Sequence, residues 1–132
     1  MFIRLRRIRR IYKPSANYVK NKERARVLVH QRVFHFNKIY NFEFGRIAIK
    51  DQRRVWGSCS AKGNLNFNYR LVFLPQGLSD YVIVHELCHL KELNHSKNFW
   101  ELVKIAVPDH KDIRRKLKEY RFSANNISLD LS

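Results

Sequence analysis

The sequence is short of several things that would mark a protein class. Its two cysteines, Cys59 and Cys88, are too few for a disulfide scaffold, so a reduced compartment is the expectation. No apolar run approaches the roughly 18–20 residues needed to cross a bilayer. The opening residues, MFIRLRRIRRIY, lack the apolar stretch and small-residue cleavage site of a secretory signal. They are Arg-rich like a transit peptide but carry none of its serine enrichment. Internal repeats and low-complexity tracts are absent. Acidic residues are scarce: 11 Asp+Glu stand against 27 Lys+Arg, a net charge of +16 with a pI near 10.4.

That surplus favours polyanions as partners, chiefly DNA or RNA. The cations expected to touch nucleic acid are Arg4, Arg6, Arg7, Arg9 and Arg10 in the opening segment, with Lys20 and Arg24 beyond it. No segment sets an apolar face against a basic one, so a membrane surface is not an expected partner. With 132 residues, 45% apolar and 13% aromatic, the chain should fold as one soluble domain over 1–132; a monomer is the expectation, although length and composition do not fix it. Residues 1–16 form a basic N-terminal segment, and 123–132 read as a frayed tail.

Periodicity supplies the elements. Pro14 and Ser15 precede a long helix from about 17 to 40, with Val27, Val29, Val33, Phe36 and Tyr40 recurring at mostly helical intervals. Ile47 and Ile49 alternate with polar residues, as in a half-buried strand. A second strand is expected near Arg54–Cys59 and a third at Asn64–Asn68, the three forming a short antiparallel meander. Ser79 is a candidate N-cap for a helix from about 80 to 93 whose body is apolar nearly all round, so it belongs inside. Ser96 can cap a further helix to about 106, and Asp109 with Asp112 can open a last one carrying Ile113, Leu117 and Tyr120. The class is α+β: a small three-stranded sheet, a long N-terminal helix, a buried central helix and C-terminal helices.

The buried helix carries His85-Glu86-Leu87-Cys88-His89, an H-E-x-x-H run. Histidines four apart share one helical face, so both imidazoles can reach one ion. Glu86 lies about 100° further round, beside the metal, where its carboxylate can take a proton from zinc-bound water. With six His and six Glu in the chain, chance produces such a run in roughly one per cent of sequences of this length. The alternative is a pair of hydrogen-bonded core histidines with Glu86 as a neighbour. A catalytic zinc takes three protein ligands and leaves one position open. His95, six residues after His89, has the spacing of the metzincin third ligand, although Glu92 stands where that pattern has glycine. Asn94 can adopt the left-handed conformation and end the helix instead. Glu101 is the other candidate ligand.

Trp56-Gly57-Ser58-Cys59-Ser60, Lys62-Gly63-Asn64-Leu65-Asn66 and the stretch from Tyr81 to Trp100 together resemble the YgjP-like metallopeptidase family, over about residues 20–121. Its members are similar to the SprT-like and WLM minimal zincins. The resemblance implies a bacterial or archaeal cytoplasmic enzyme of minimal zincin fold, with Zn2+ on His85, His89 and His95 and Glu86 as general base. Two departures stand out. Family members carry a longer, strand-rich N-terminal region, and they have arginine where Val55 precedes Trp56.

The function expected is a zinc metallopeptidase acting on protein or peptide, including proteins associated with nucleic acid. The strand at Asn64–Asn68 is the expected substrate-pairing edge, with Asn64, Asn66, Asn68 and Arg70 touching substrate and Arg70, Tyr69 or Asn66 assisting the oxyanion. Two rivals remain: a nucleic-acid-binding module with a structural metal, and a zinc hydrolase of phosphate esters or nucleotides.

Overall fold

The computed structural model describes residues 13–120. Helix α1 (Ala16–Tyr40) starts where Ser15 Oγ accepts the Tyr18 N–H at 3.1 Å. It ends at Asn41, whose left-handed φ of 53° lets its N–H bond Asn37 O. Asn21, Ala25, Val29, Val33 and Phe36 form the buried stripe, spaced by four or three as one helical face requires. Val27, expected inside, is 44% exposed because it sits two residues, about 200°, from Ala25.

Strands β1 (Ile47–Lys50), β2 (Gly57–Cys59) and β3 (Leu65–Asn68) form one sheet in the order β1-β3-β2. The meander is not observed. β2 and β3 do form an antiparallel hairpin, but β1 runs parallel to β3 on its far side, with Ile47 opposite Leu65 and Ile49 opposite Phe67. Alternation specifies which side chains face the core and leaves the choice of neighbour open. Residues 51–56 make the crossover that the parallel pairing needs. Asn68 anchors it: fully buried, its amide donates to Gln52 O and Val55 O at 2.6 and 2.9 Å.

A 3₁₀ turn (Tyr69–Phe73) leads into α2 (Gln76–His89). This helix begins at Pro75, four residues before the expected cap. Ser79 is buried inside it and donates its hydroxyl to Gln76 O at 3.0 Å, so it serves the first turn from within. α2 is the hub of the molecule, touching α1, α3, α4, β2 and β3. Every residue from Tyr81 to His89 is buried. A two-pronged ion pair, Arg32 to Asp80 at 2.8 and 2.9 Å, clamps α1 to its first turns.

Helix α3 (Lys97–Ala106) is capped by Ser96 and buries Phe99 and Val103. Helix α4 (His110–Glu119) follows Pro108 and Asp109 and packs on α2 through Leu117. Among the described residues, four helices and one small mixed sheet make the fold α+β. Among the described residues no helix is long and apolar enough to cross a membrane.

Candidate metal centre

Helix periodicity places two of three imidazoles. His85 and His89, one turn apart on α2, are 1% and 5% exposed. His95 arrives from the turn that follows. Past His89 the chain tightens, with Leu90 N–H bonding Leu87 O and Glu92 N–H bonding Cys88 O, both at 3.0 Å. This folds residues 91–96 back over the end of α2. The expected left-handed stop at Asn94 is not used, since Asn41 is the one non-glycine residue with positive φ among those described. Glu92 therefore needs no glycine's freedom to bring His95 home.

The three Nε2 atoms converge: His85 to His89 is 3.1 Å, His89 to His95 is 2.9 Å and His95 to His85 is 3.1 Å. His89 Nδ1 lies 2.9 Å from Glu92 O. A carbonyl can only accept, so Nδ1 carries the proton and Nε2 presents a bare lone pair to the cluster. Hydrogen bonds alone cannot close a triangle of nitrogens of which one is committed as acceptor, whereas one cation meets all three. Nitrogens on a tetrahedral zinc stand roughly 3.3 Å apart, so the triad fits an ion with a shift of a few tenths of an ångström. No other cluster of metal-ligating side chains occurs among the described residues.

The rings are held by aromatic packing. Phe99 of α3, fully buried, contacts all three, with centroids 4.9, 4.4 and 5.1 Å from His85, His89 and His95. The Tyr81 hydroxyl lies 3.4 Å from His85 Nδ1, and burial holds that phenol neutral, far above its ordinary range. His95 is exposed, so the cluster opens to solvent on its side.

Glu86 is fully buried beside β2. A Cβ on Gly57 would stand 3.0 Å from Glu86 Cγ, 3.1 Å from Asn66 O and 3.3 Å from Glu86 Oε2, so a larger residue here would make Glu86 or the strand give by a few tenths of an ångström. Burial first, then the neighbouring Glu86, pushes the Cys59 thiol up to about 11. Burial also pushes Cys88, between the two helical histidines, up to about 12. Both cysteines are neutral near pH 7.

The other expected site residues lie elsewhere. Glu101 is exposed on α3 and is not part of the histidine cluster. Asn64–Asn68 is no edge. β3 is the central strand, because β1 took the flank that a meander would have left open. Its side chains are occupied internally: Asn64 accepts the Arg46 N–H at 2.9 Å, and Asn66 donates to Ser58 Oγ at 3.2 Å. Arg70 pairs with Asp51 at 3.0 Å and donates to Gln52 O at 2.8 Å, while Tyr69 is 1% exposed. Lys20 and Arg24 are exposed on α1. Arg4, Arg6, Arg7, Arg9 and Arg10 and the expected tail 123–132 lie outside the described residues. Sequence reasoning missed Phe99 as the ring support and Gly57 as the seat of Glu86. Their signals were an aromatic three residues after a cap and a glycine inside a strand.

The chain is similar in fold to two metallopeptidase zymogens of known structure. The metallopeptidase zymogen abylysin of Pyrococcus abyssi superposes with a TM-score of 0.63 at 24% identity, covering 69% of this chain and 92% of that one. The metallopeptidase zymogen jannalysin of Methanocaldococcus jannaschii gives 0.61 at 24% identity, with 69% and 94% covered. No curated protein sequence matches significantly. The YgjP-like metallopeptidase domain, by contrast, matches continuously over residues 13–120, from the cap of α1 to the end of α4. With a histidine cluster able to hold a metal ion at the heart of that match, the chain belongs to the YgjP-like metallopeptidase family.

Proposed function

We propose that the protein is a zinc-dependent peptidase, its ion held by His85, His89 and His95 and its general base Glu86. The observation that carries this reading is the convergence of three Nε2 atoms within 3.1 Å, one helix residue from a buried carboxylate. Bound there, zinc would polarise the scissile carbonyl and lower the pKa of water to about 7. Glu86 receives the proton of the attacking water and returns it to the leaving amine. Its burial against Gly57 keeps the carboxylate in one orientation, so little reorganisation is needed during the reaction.

The flank of β2 away from β3 has no strand partner among the described residues, and β2 carries the glycine on which Glu86 rests. An extended substrate adding to that edge would run its backbone past the general base, with main-chain hydrogen bonds supplying affinity. The exposure of His95 favours a catalytic over a structural ion, since structural zinc sites are closed and rich in cysteine.

The test is Glu86→Gln, which keeps volume but accepts no proton at neutral pH. Zinc content near one per chain and the thermal midpoint should be unchanged, while cleavage of an unfolded protein falls about 10²–10⁴-fold. Wild-type turnover in this variant would end the general-base assignment. Loss of zinc or of folding would make Glu86 a ligand or a structural group.

A further inference from the structure

A second cavity opens beside the histidine cluster, between α3 and α4. It encloses about 500 Å³. Lys97, Trp100, Glu101 and Lys104 line it from α3 at the i, i+3, i+4, i+7 spacing of one helix face. Pro108 lies between, and His110, Lys111 and Arg114 close it from α4. Four permanent cations thus face one carboxylate. None of the four, and not Glu101 either, enters an ion pair among the described residues.

The positive field is visible in His110. Burial first, then the charges of Lys111, Lys104 and Arg114, hold its imidazole below the ordinary histidine range, against the pull of Asp109. The ring is 7% exposed, and its Nδ1 has no hydrogen-bond partner among the described residues. The wall therefore carries uncompensated positive charge.

Trp100 is common to this cavity and the metal centre. Its ring lies 5.9 Å from that of His95 on one side, stacks on His110 at 5.1 Å and 17°, and carries the Arg114 guanidinium 5.0 Å from its centroid. An extended peptide advances about 3.3 Å per residue, so a side chain two or three residues from the bond being cut can pass Trp100 and enter.

We propose that this cavity is a substrate subsite that takes the carboxylate of an Asp or Glu lying within about three residues of the scissile bond. The inference rests on the peptidase reading above. Arg114 offers a planar fork of donors matched to a carboxylate, and Lys104 and Lys111 flank it as mobile point charges. A nucleic-acid strand is the poorer occupant. Strand binding wants a groove tracking the backbone and a free aromatic face for the bases, whereas Trp100 is already engaged by His110 and Arg114.

The experiment uses the full-length, zinc-loaded protein and peptides from a digested, alkylated serum albumin, with products read by mass spectrometry. Bonds with Asp or Glu nearby should be cut preferentially. A synthetic peptide carrying Glu at the favoured position is then compared with its Gln counterpart. The wild type should favour Glu about tenfold in kcat/KM, as one charge-assisted contact provides, and added salt should erode the ratio. In Arg114→Gln the ratio should fall towards one. Lys104→Gln, at an exposed position, gives a second test if the first variant fails to fold. A wild-type ratio near one, or a ratio untouched by both substitutions, overturns the proposal. So does a result in which these changes weaken only retention on duplex DNA.

Binding of the two peptides to Glu86→Gln protein, followed by tryptophan fluorescence, reads the subsite without turnover. Tighter binding of the Glu peptide, lost in Arg114→Gln, would sustain the subsite even if the wild type cut nothing, and only the peptidase reading would fall.

Discussion

His85 and His89 reach the metal centre on a helix, whereas His95 reaches it on a turn, and the two routes have different energetic consequences. The helical pair is 1% and 5% exposed, and its positions follow from backbone hydrogen bonds that form whether or not a metal is present. His95 is exposed and follows a tightened turn that α2 hands on to α3. One side of the site is thus built by the core and the other is delivered to it. A bound metal ion would close the difference, and the loop side is where its binding energy would be spent on ordering chain.

The sharpest way to break this comparison is at Phe99, the ring that ties the two sides together. Phe99→Ala removes a fully buried aromatic touching all three imidazoles, and should cost about 3–5 kcal/mol in urea unfolding. Zinc affinity should fall with it. A loss under about 1 kcal/mol, as for a surface residue, would mean that the ring supports nothing.

Next in size is the contrast between the histidines themselves. His85→Ala and His95→Ala should both abolish stoichiometric zinc retention. In metal-free protein they should part: about 1–3 kcal/mol lost for buried His85, within about 0.5 kcal/mol of wild type for exposed His95. Equal losses in chelator-treated samples would show that the turn is as much core as the helix. If Glu101→Ala, and not His95→Ala, releases zinc, the third ligand is misassigned.

The smallest effect tests the delivery of His95. Ser96 caps α3 by accepting the Phe99 N–H at 3.4 Å, immediately after the third histidine. Ser96→Ala should cost about 1 kcal/mol and weaken zinc binding, because the cap fixes the turn as well as the helix. Unchanged metal affinity at reduced stability would separate the two.

Much of this was legible in the sequence, and the rest was hidden for identifiable reasons. The H-E-x-x-H run, the buried helix and the Ser96 cap are local patterns, and local hydrogen bonding realises them. Sheet order was not legible, because Ile47, Ile49, Leu65 and Phe67 specify a buried face but no neighbour. The start of α2 was missed because a buried serine that bonds backward resembles a cap when only the sequence is in view. Asn64, Asn66, Asn68 and Arg70 read as substrate contacts since polar residues on a strand suggest an open face; in three dimensions Asn68 is buried and the others are half-buried, bonded within the crossover and the hairpin. The cationic cavity was beyond reach from sequence alone. Lys97 and Arg114 meet only because α3 and α4 pack around Trp100.

The close approach of Gly57 to Glu86 ties the register of the sheet to the placement of the carboxylate. A hairpin misaligned by one residue would set the side chain of Trp56 or Ser58 against Glu86 in place of glycine, and the carboxylate would have to shift. A molecule that assembled its sheet wrongly would thereby misplace the carboxylate proposed above as its general base. On the peptidase reading, a faulty copy would be idle instead of indiscriminate, and the safeguard would reside in a residue with no side chain.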